Sequence, residues 1–255
     1  MRKGLIILLF LLGAQSVVHA QDDLFGTPKE PARKGLVIGF NGSLDLPGAD
    51  MAKRFGISYR FGPSLMYKTK SGYIFGAKFD FISGNKIEED SLLYGVHDKN
   101  GLFINNTGQR IAVGLFERGF ATGLQGGKIF PVQKSNPNTG LLLLTGAGFI
   151  QHRIDIQDRD ETVPQVRDEY EKGYDRLTNG WYLEQFAGFN MFDKGGLLNF
   201  HIGLDILAGF TKGRRDYLYD VRRKDDGSRI DILFGLRGGM YIPIFKKKSE
   251  EIYFE

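Results

Sequence analysis

Alternation with period two, sustained beyond the length of an ordinary soluble strand, constrains this chain more than any other feature. Between positions 198 and 210, Leu198, Phe200, Ile202, Leu204, Ile206, Ala208 and Phe210 share one parity. Asn199, His201, Gly203, Asp205, Leu207 and Gly209 share the other. Successive side chains of a strand point to opposite faces, so one face is greasy and the other small or charged. The run is long for a strand in water and right for one that crosses a bilayer at a tilt. Arg229 to Phe245 repeats the pattern. Ile230, Ile232, Phe234, Leu236, Met240, Ile242 and Ile244 oppose Arg229, Asp231, Gly235, Arg237, Gly239 and Tyr241.

Six further segments read the same way: Leu36–Leu46, Phe61–Lys68, Tyr73–Ile82, Phe120–Val132, Leu141–Ile156 and Trp181–Phe192. In Leu141–Ile156 the parity sets Gln151, Arg153 and Asp155 against Ile150, Ile154 and Ile156. The connections alternate strictly between tight and long. The tight ones, Thr69–Gly72, Gln133–Gly140 and Asp193–Gly196, carry Gly, Asn and Pro turn chemistry. The long ones are Pro47–Arg60, Ser83–Gly119, Gln157–Gly180 and Thr211–Ser228. The expected fold is therefore all-β: an eight-stranded antiparallel transmembrane β-barrel, an up-and-down meander with short periplasmic turns and long extracellular loops. An even strand number lets the first and last strands pair and removes the edge that lipid cannot satisfy.

A lipocalin-like soluble barrel would turn the same apolar faces inward. Those faces are too bulky for an eight-stranded interior, and the small and charged residues share the opposite face. Composition agrees: 35 Gly, 21 Phe, 11 Tyr and no Cys suit close strands with interfacial aromatics and no disulfides. The net charge of +4 is modest, and no motif points to nucleic acid.

Around the barrel, residues 1–20 read as a secretory signal peptide, with Arg2 and Lys3 before an apolar Leu5–Leu12 core and a Val18-His19-Ala20 cleavage site. Residues 21–34 read as a periplasmic lead, 35–245 as an outer-membrane barrel, and 246–255 as a periplasmic tail.

The lumen is expected to hold Asp45, Lys78, Asp80, Arg153, Asp155, Glu184, His201, Asp205, Asp231 and Arg237. Charges of both signs in so narrow a space must pair, as a salt-bridged plug or as an ion path; the plug is expected, because eight strands leave no aqueous channel. No catalytic residue, cofactor or metal site is expected. His97, His152 and His201 have no metal-ligand spacing between them and no Cys beside them. His152, on the lipid-facing parity or close to a strand end, is the one candidate for a lipid-modifying enzyme, without a serine at a partner position. The loops carry a denser signal. Tyr170, Tyr174, Arg176, Arg214, Arg215, Tyr217, Tyr219, Arg222 and Arg223 are candidate docking residues, since Tyr and Arg are favoured interface anchors. The segment 100–119 is too apolar for a free loop and reads as a small lid or partner-binding element.

The strand phrase Tyr73-Ile-Phe-Gly-Ala-Lys-Phe-Asp-Phe and the terminal Gly239-Met-Tyr-Ile-Pro-Ile-Phe resemble the PorT-like outer-membrane β-barrel proteins of Bacteroidota, over most of Gly35–Phe245. The tail departs from barrels that end on the closing strand's Phe. The resemblance implies an accessory or scaffold subunit of an outer-membrane machine for protein secretion or barrel assembly, in contact with outer-membrane lipid and a larger protein complex. A lipid-modifying enzyme, or a minor pore or surface-binding protein, are the alternatives.

Overall fold

A computed structural model describes residues 30–89, 92–93, 95–133, 135–158, 162–193 and 199–245. The signal peptide and the tail lie outside these residues, as do most of the Asp193–Gly196 turn and Leu198. Among the described residues ten strands are formed: β1 (Gly35–Ala49), β2 (Ser58–Lys68), β3 (Tyr73–Gly84), β4 (Phe103–Ile104), β5 (Arg110–Ile111), β6 (Gly114–Gln133), β7 (Asn136–Gln157), β8 (Thr178–Phe192), β9 (Asn199–Gly213) and β10 (Ser228–Phe245). Eight of them close into an antiparallel barrel in the order β1-β10-β9-β8-β7-β6-β3-β2, and β4 and β5 form a separate small hairpin. Closure runs from Gly35 opposite Phe245 to Ala49 opposite Asp231.

Parity decides the two faces. On β1, Leu36, Ile38, Phe40, Leu44 and Leu46 are exposed while Val37, Asn41 and Asp45 are buried. The same division holds along β9, where Ile202, Leu204, Ile206 and Phe210 point out and His201, Asp205 and Leu207 point in. An exposed apolar surface that encircles a barrel exceeds anything a protein presents to water and matches hydrocarbon. With no water in the bilayer core, only a closed sheet satisfies every backbone group there. The barrel therefore spans a membrane. Its tight turns share one end with the described start of the chain, and its long loops share the other, the extracellular end by the usual arrangement of such barrels.

Two strands outgrow the bilayer furthest. β6 has 20 residues and β7 has 22, about 70 Å of extended chain at ~3.3 Å per residue. An apolar belt is only about 25 Å tall. The excess wall stands above the membrane, and there the polarity inverts. Ile150, His152 and Ile154 are buried inward, while Arg153 and Asp155 take the outward parity in the rows of β7. This corrects the expectation that Arg153 and Asp155 belong to the lumen and that His152 faces lipid. Above the bilayer the outside is water, so the outward row becomes polar and the inward row becomes core.

Inside, the barrel is stacked in layers. A lower apolar cluster contains Val37, Met66, Ile74, Ile129, Leu142, Phe186, Phe192 and Tyr241. An upper one joins the wall residues Ile82, Ala121, Ile150, Ile154, Leu207 and Leu233 to the loop residues Met51, Phe55, Leu92, Leu93, Phe103, Val163, Val166 and Tyr174. The charged residues lie between them. The periplasmic mouth is crossed by the described start of the chain. Arg33 donates its backbone N–H to Asn138 Oδ1 at 3.0 Å, Asn138 Nδ2 donates to the Pro31 carbonyl at 3.1 Å, and Lys68 Nζ donates to the Arg33 carbonyl at 2.9 Å.

Candidate functional site

The ionic layer centres on Arg60, which sequence reasoning left in a loop. The guanidinium projects inward from β2 and is 2 % exposed. It donates to Asp45 Oδ2 at 2.7 Å through Nε and to Asp45 Oδ1 at 2.9 Å through one terminal nitrogen. The same residue reaches Glu184 Oε1 at 2.9 Å and Asp205 Oδ2 at 2.5 Å. Lys78 Nζ bridges Asp80 at 2.7 Å and Glu184 at 2.5 Å. Arg237 lies 3.3 Å from Glu184 and 3.6 Å from Asp205. Three cations from β2, β3 and β10 thus hold four carboxylates from β1, β3, β8 and β9. Each buried charge sits among opposite charges and hydrogen bonds, the condition under which ions are tolerated away from water.

A second group sits higher. Asp231 accepts from Arg54 at 2.9 Å, from the Thr211 hydroxyl at 2.6 Å, and lies 2.9 Å from His152 Nε2. Phe55 meets the His152 ring edge-on at 5.4 Å between centroids. His152 is fully buried, so this His–Asp pair cannot meet lipid on the outer wall, and its hydroxyl partner is Thr211, bonded to the same carboxylate. His201 lies lower in the lumen, stacked on Tyr241 at 4.8 Å and edge-on to Phe186 at 5.4 Å. Among the described residues, no group of His, Asp and Glu is arranged to hold a metal ion. The four carboxylates of the ionic layer are already engaged by protein cations.

The loops fold into a crown. Arg176 ties three of them together: its Nε donates to Glu89 at 2.8 Å and its terminal nitrogens pair with Glu89 and Asp220. Burial alone would weaken this guanidinium, but the two carboxylates raise its pKa above the ordinary arginine value. Arg215 pairs with Asp175, and Arg153 reaches Asp155 and Glu171 at 3.2 and 3.4 Å. Backbone bonds from Asn106 N to the Thr162 carbonyl at 2.9 Å, and from Tyr219 N to the Gly173 carbonyl at 3.1 Å, stitch neighbouring loops. The Gly173 contact requires glycine, because a Cβ there would fall 1.9 Å from the Tyr219 ring. The apolar 100–119 segment contributes the β4–β5 hairpin, whose Phe103 is buried in the upper cluster.

The candidate docking residues therefore separate. Tyr174 and Arg176 are buried inside the crown, and Arg215 is held by Asp175. Arg176 and Arg215 build the platform and are not its face, while Tyr174 forms the floor on which exposed residues pack. Tyr170, Arg214, Tyr217, Tyr219, Arg222 and Arg223 are exposed. Tyr219 packs on Tyr170, Tyr174 and Tyr217 at 6.3, 5.5 and 5.8 Å between centroids. Three of these tyrosines, with Val96, Pro164 and Gln165, line a recess of about 480 Å³. Burial pushes the Tyr174 phenol above its ordinary value, so it is neutral at physiological pH.

A closed barrel with a lipid-matched belt, an ionic lumen and a folded extracellular crown defines a small outer-membrane β-barrel protein. No protein-family model matches the chain, and no curated protein matches it. Among solved structures it is similar to Ail, the attachment invasion locus protein of Yersinia pestis, solved in complex with the heparin analogue sucrose octasulfate: 11% identity, 82% of this chain, 98% of that chain, TM-score 0.44. It is similar to Neisserial surface protein A at 10% identity, 82% and 97% coverage and TM-score 0.44. The outer membrane protein OprG of Pseudomonas aeruginosa follows at 11% identity, 85% and 99% coverage and TM-score 0.33.

Proposed function

We propose that this barrel is a non-enzymatic accessory or scaffold subunit of an outer-membrane machine for protein secretion or barrel assembly, engaging its partner through the crown. The observation that carries the reading is the aromatic recess walled by Tyr170, Tyr174 and Tyr219. The buried Arg176 tie and an apolar cluster continuous with the barrel core hold the loops in one shape, which keeps the recess preformed. Rigid tyrosines around a preformed recess bind with little ordering cost. The PorT-like phrases in β3 and β10 favour a secretion machine over other assemblies.

Photo-crosslinking in intact cells tests this. A crosslinking residue placed at Tyr170 or Tyr219 should yield one discrete adduct with an outer-membrane or surface protein, and the same residue at lipid-facing Leu204 should not. Uncrosslinked monomer from both crown positions would overturn the proposal.

The minor-pore reading predicts a conducting lumen. With the ionic layer lying between two apolar clusters, purified protein in planar bilayers should give no steady conductance. A sustained open current at low voltage would overturn the closed-barrel reading.

A further inference from the structure

The outer wall carries a second feature, at the level where the apolar belt gives way to the crown. On β8 the outward row passes from Trp181 to Asn179, and on β9 from Phe210 to Lys212. The rows are in register: Trp181 lies opposite Phe210, and Asn179 opposite Lys212. Ile230 of β10 continues the apolar row beside Phe210. Trp181 is the most exposed large apolar side chain of the barrel at 73 %. Two residues of strand place the polar row about 7 Å beyond the aromatic one. With the strands tilted, the polar row stands about 5 Å above the aromatic one along the membrane normal, on the headgroup side of the boundary that Trp commonly marks.

These residues, with Phe149, Arg214 and Asp50, border an open recess of about 630 Å³. Its free charge is cationic. Both Asp50 carboxylate oxygens are occupied, by Lys53 Nζ at 2.8 Å and by the Ile230 N–H at 3.0 Å. Arg229 is committed to Asp225 and Thr178. Arg214 is instead aimed. Its Nε donates to Asn179 Oδ1 at 2.5 Å, and Asn179 Nδ2 donates to Gln151 Oε1 at 3.4 Å. This relay fixes the guanidinium through one nitrogen and leaves its two terminal nitrogens for a ligand. The Lys212 ammonium is exposed beside it.

We propose that Lys212 and Arg214 form a binding site for a phosphorylated glycolipid of the outer leaflet, of the lipid A class. The two cations take a phosphate, and Trp181, Phe210 and Ile230 receive an acyl chain below it. Arginine suits a phosphate because its planar fork offers paired donors. Asn179 is a positioning residue that acts through Arg214. The site lies on the outer wall, apart from the tyrosine recess, so its failure leaves the docking reading standing.

Full mature protein in delipidating detergent, titrated with bisphosphorylated lipid A and read by native mass spectrometry, tests the site. Wild type should hold one lipid. The Lys212→Ala/Arg214→Ala variant should bind about thirtyfold more weakly, the loss expected for two headgroup-level cations. The Lys212→Gln/Arg214→Gln variant should repeat that loss if the alanine form fails to fold, with heat-dependent gel mobility reporting folding. Lipid A stripped of its phosphates and phosphatidylglycerol should both bind wild type weakly. Unchanged binding by the folded double variant overturns the proposal. So does equal binding of the stripped lipid or of phosphatidylglycerol, or displacement of the lipid by millimolar inorganic phosphate.

Discussion

Arg60→Ala should lower the barrel's unfolding free energy by about 3–5 kcal/mol, the range for removing one member of a buried ionic group. Arg60 makes two bonds to Asp45 and one each to Glu184 and Asp205. Without it, Lys78 and Arg237 remain for Glu184, Asp205 and Asp80, while Asp45 keeps only the Ser43 hydroxyl at 2.5 Å. The cost comes from stranded carboxylates more than from the lost attraction. Urea unfolding from liposomes reads it as a shift in midpoint. Arg60→Lys should recover little, since a single ammonium cannot span three carboxylates. A midpoint within error of wild type for Arg60→Ala would show that the carboxylates do not depend on this cation.

The second large effect falls where two strands touch without side chains. Gly203 of β9 lies opposite Gly188 of β8. A Cβ on Gly203 would fall 2.3 Å from the Gly188 Cα and 2.4 Å from the Ala187 carbonyl oxygen. Both obstacles are backbone, so no rotamer change relieves them. Gly203→Val should destabilise the barrel by about 3 kcal/mol, the upper part of the usual range for overpacking, and should cut refolding yield. Gly42 supplies the contrast. It points outward on β1, and a Cβ there meets nothing within 4 Å. Gly42→Val should fold as wild type does. Equal behaviour of the two valine variants would mean the close approach of β8 and β9 does not govern folding.

These cases explain what could be read in the chain and what could not. The belt was legible because lipid demands apolar side chains at period two over its whole thickness, and β9 and β10 obey with only Gly238 breaking the row. Asp45, Lys78, Asp80, Glu184, Asp205, Asp231 and Arg237 were legible as interior because they fall on the parity opposite the apolar row. Arg60 was not. It sits in a Ser58-Tyr59-Arg60 stretch whose polar character reads as loop, yet Tyr59 extends the outward row of Phe61 and Leu65. That continued parity was the signal. Arg153, Asp155 and His152 misled for a different reason. Water replaces lipid outside the upper wall, so the rule linking parity to polarity reverses there. The Leu141–Ile156 run, already longer than the roughly 9–11 residues a tilted strand needs to cross a bilayer, was the warning. In the crown, Arg176 looked like a surface anchor because its partners are remote. Glu89 and Asp220 lie 87 and 44 positions away, and no local spacing reveals which loop charges meet.

The segment across the periplasmic mouth bears on the order of assembly. Asn138 belongs to β7, yet it grips Pro31 and Arg33, more than a hundred positions earlier. Lys68 of β2 holds both the Arg33 carbonyl and Asn138. Residues 31–33 can take these partners only after the wall from β2 to β7 has come round to meet them. The part of the described chain that is synthesised first is thus bolted late, and protection of those few residues from a periplasmic protease would time the moment at which the wall from β2 to β7 is in place.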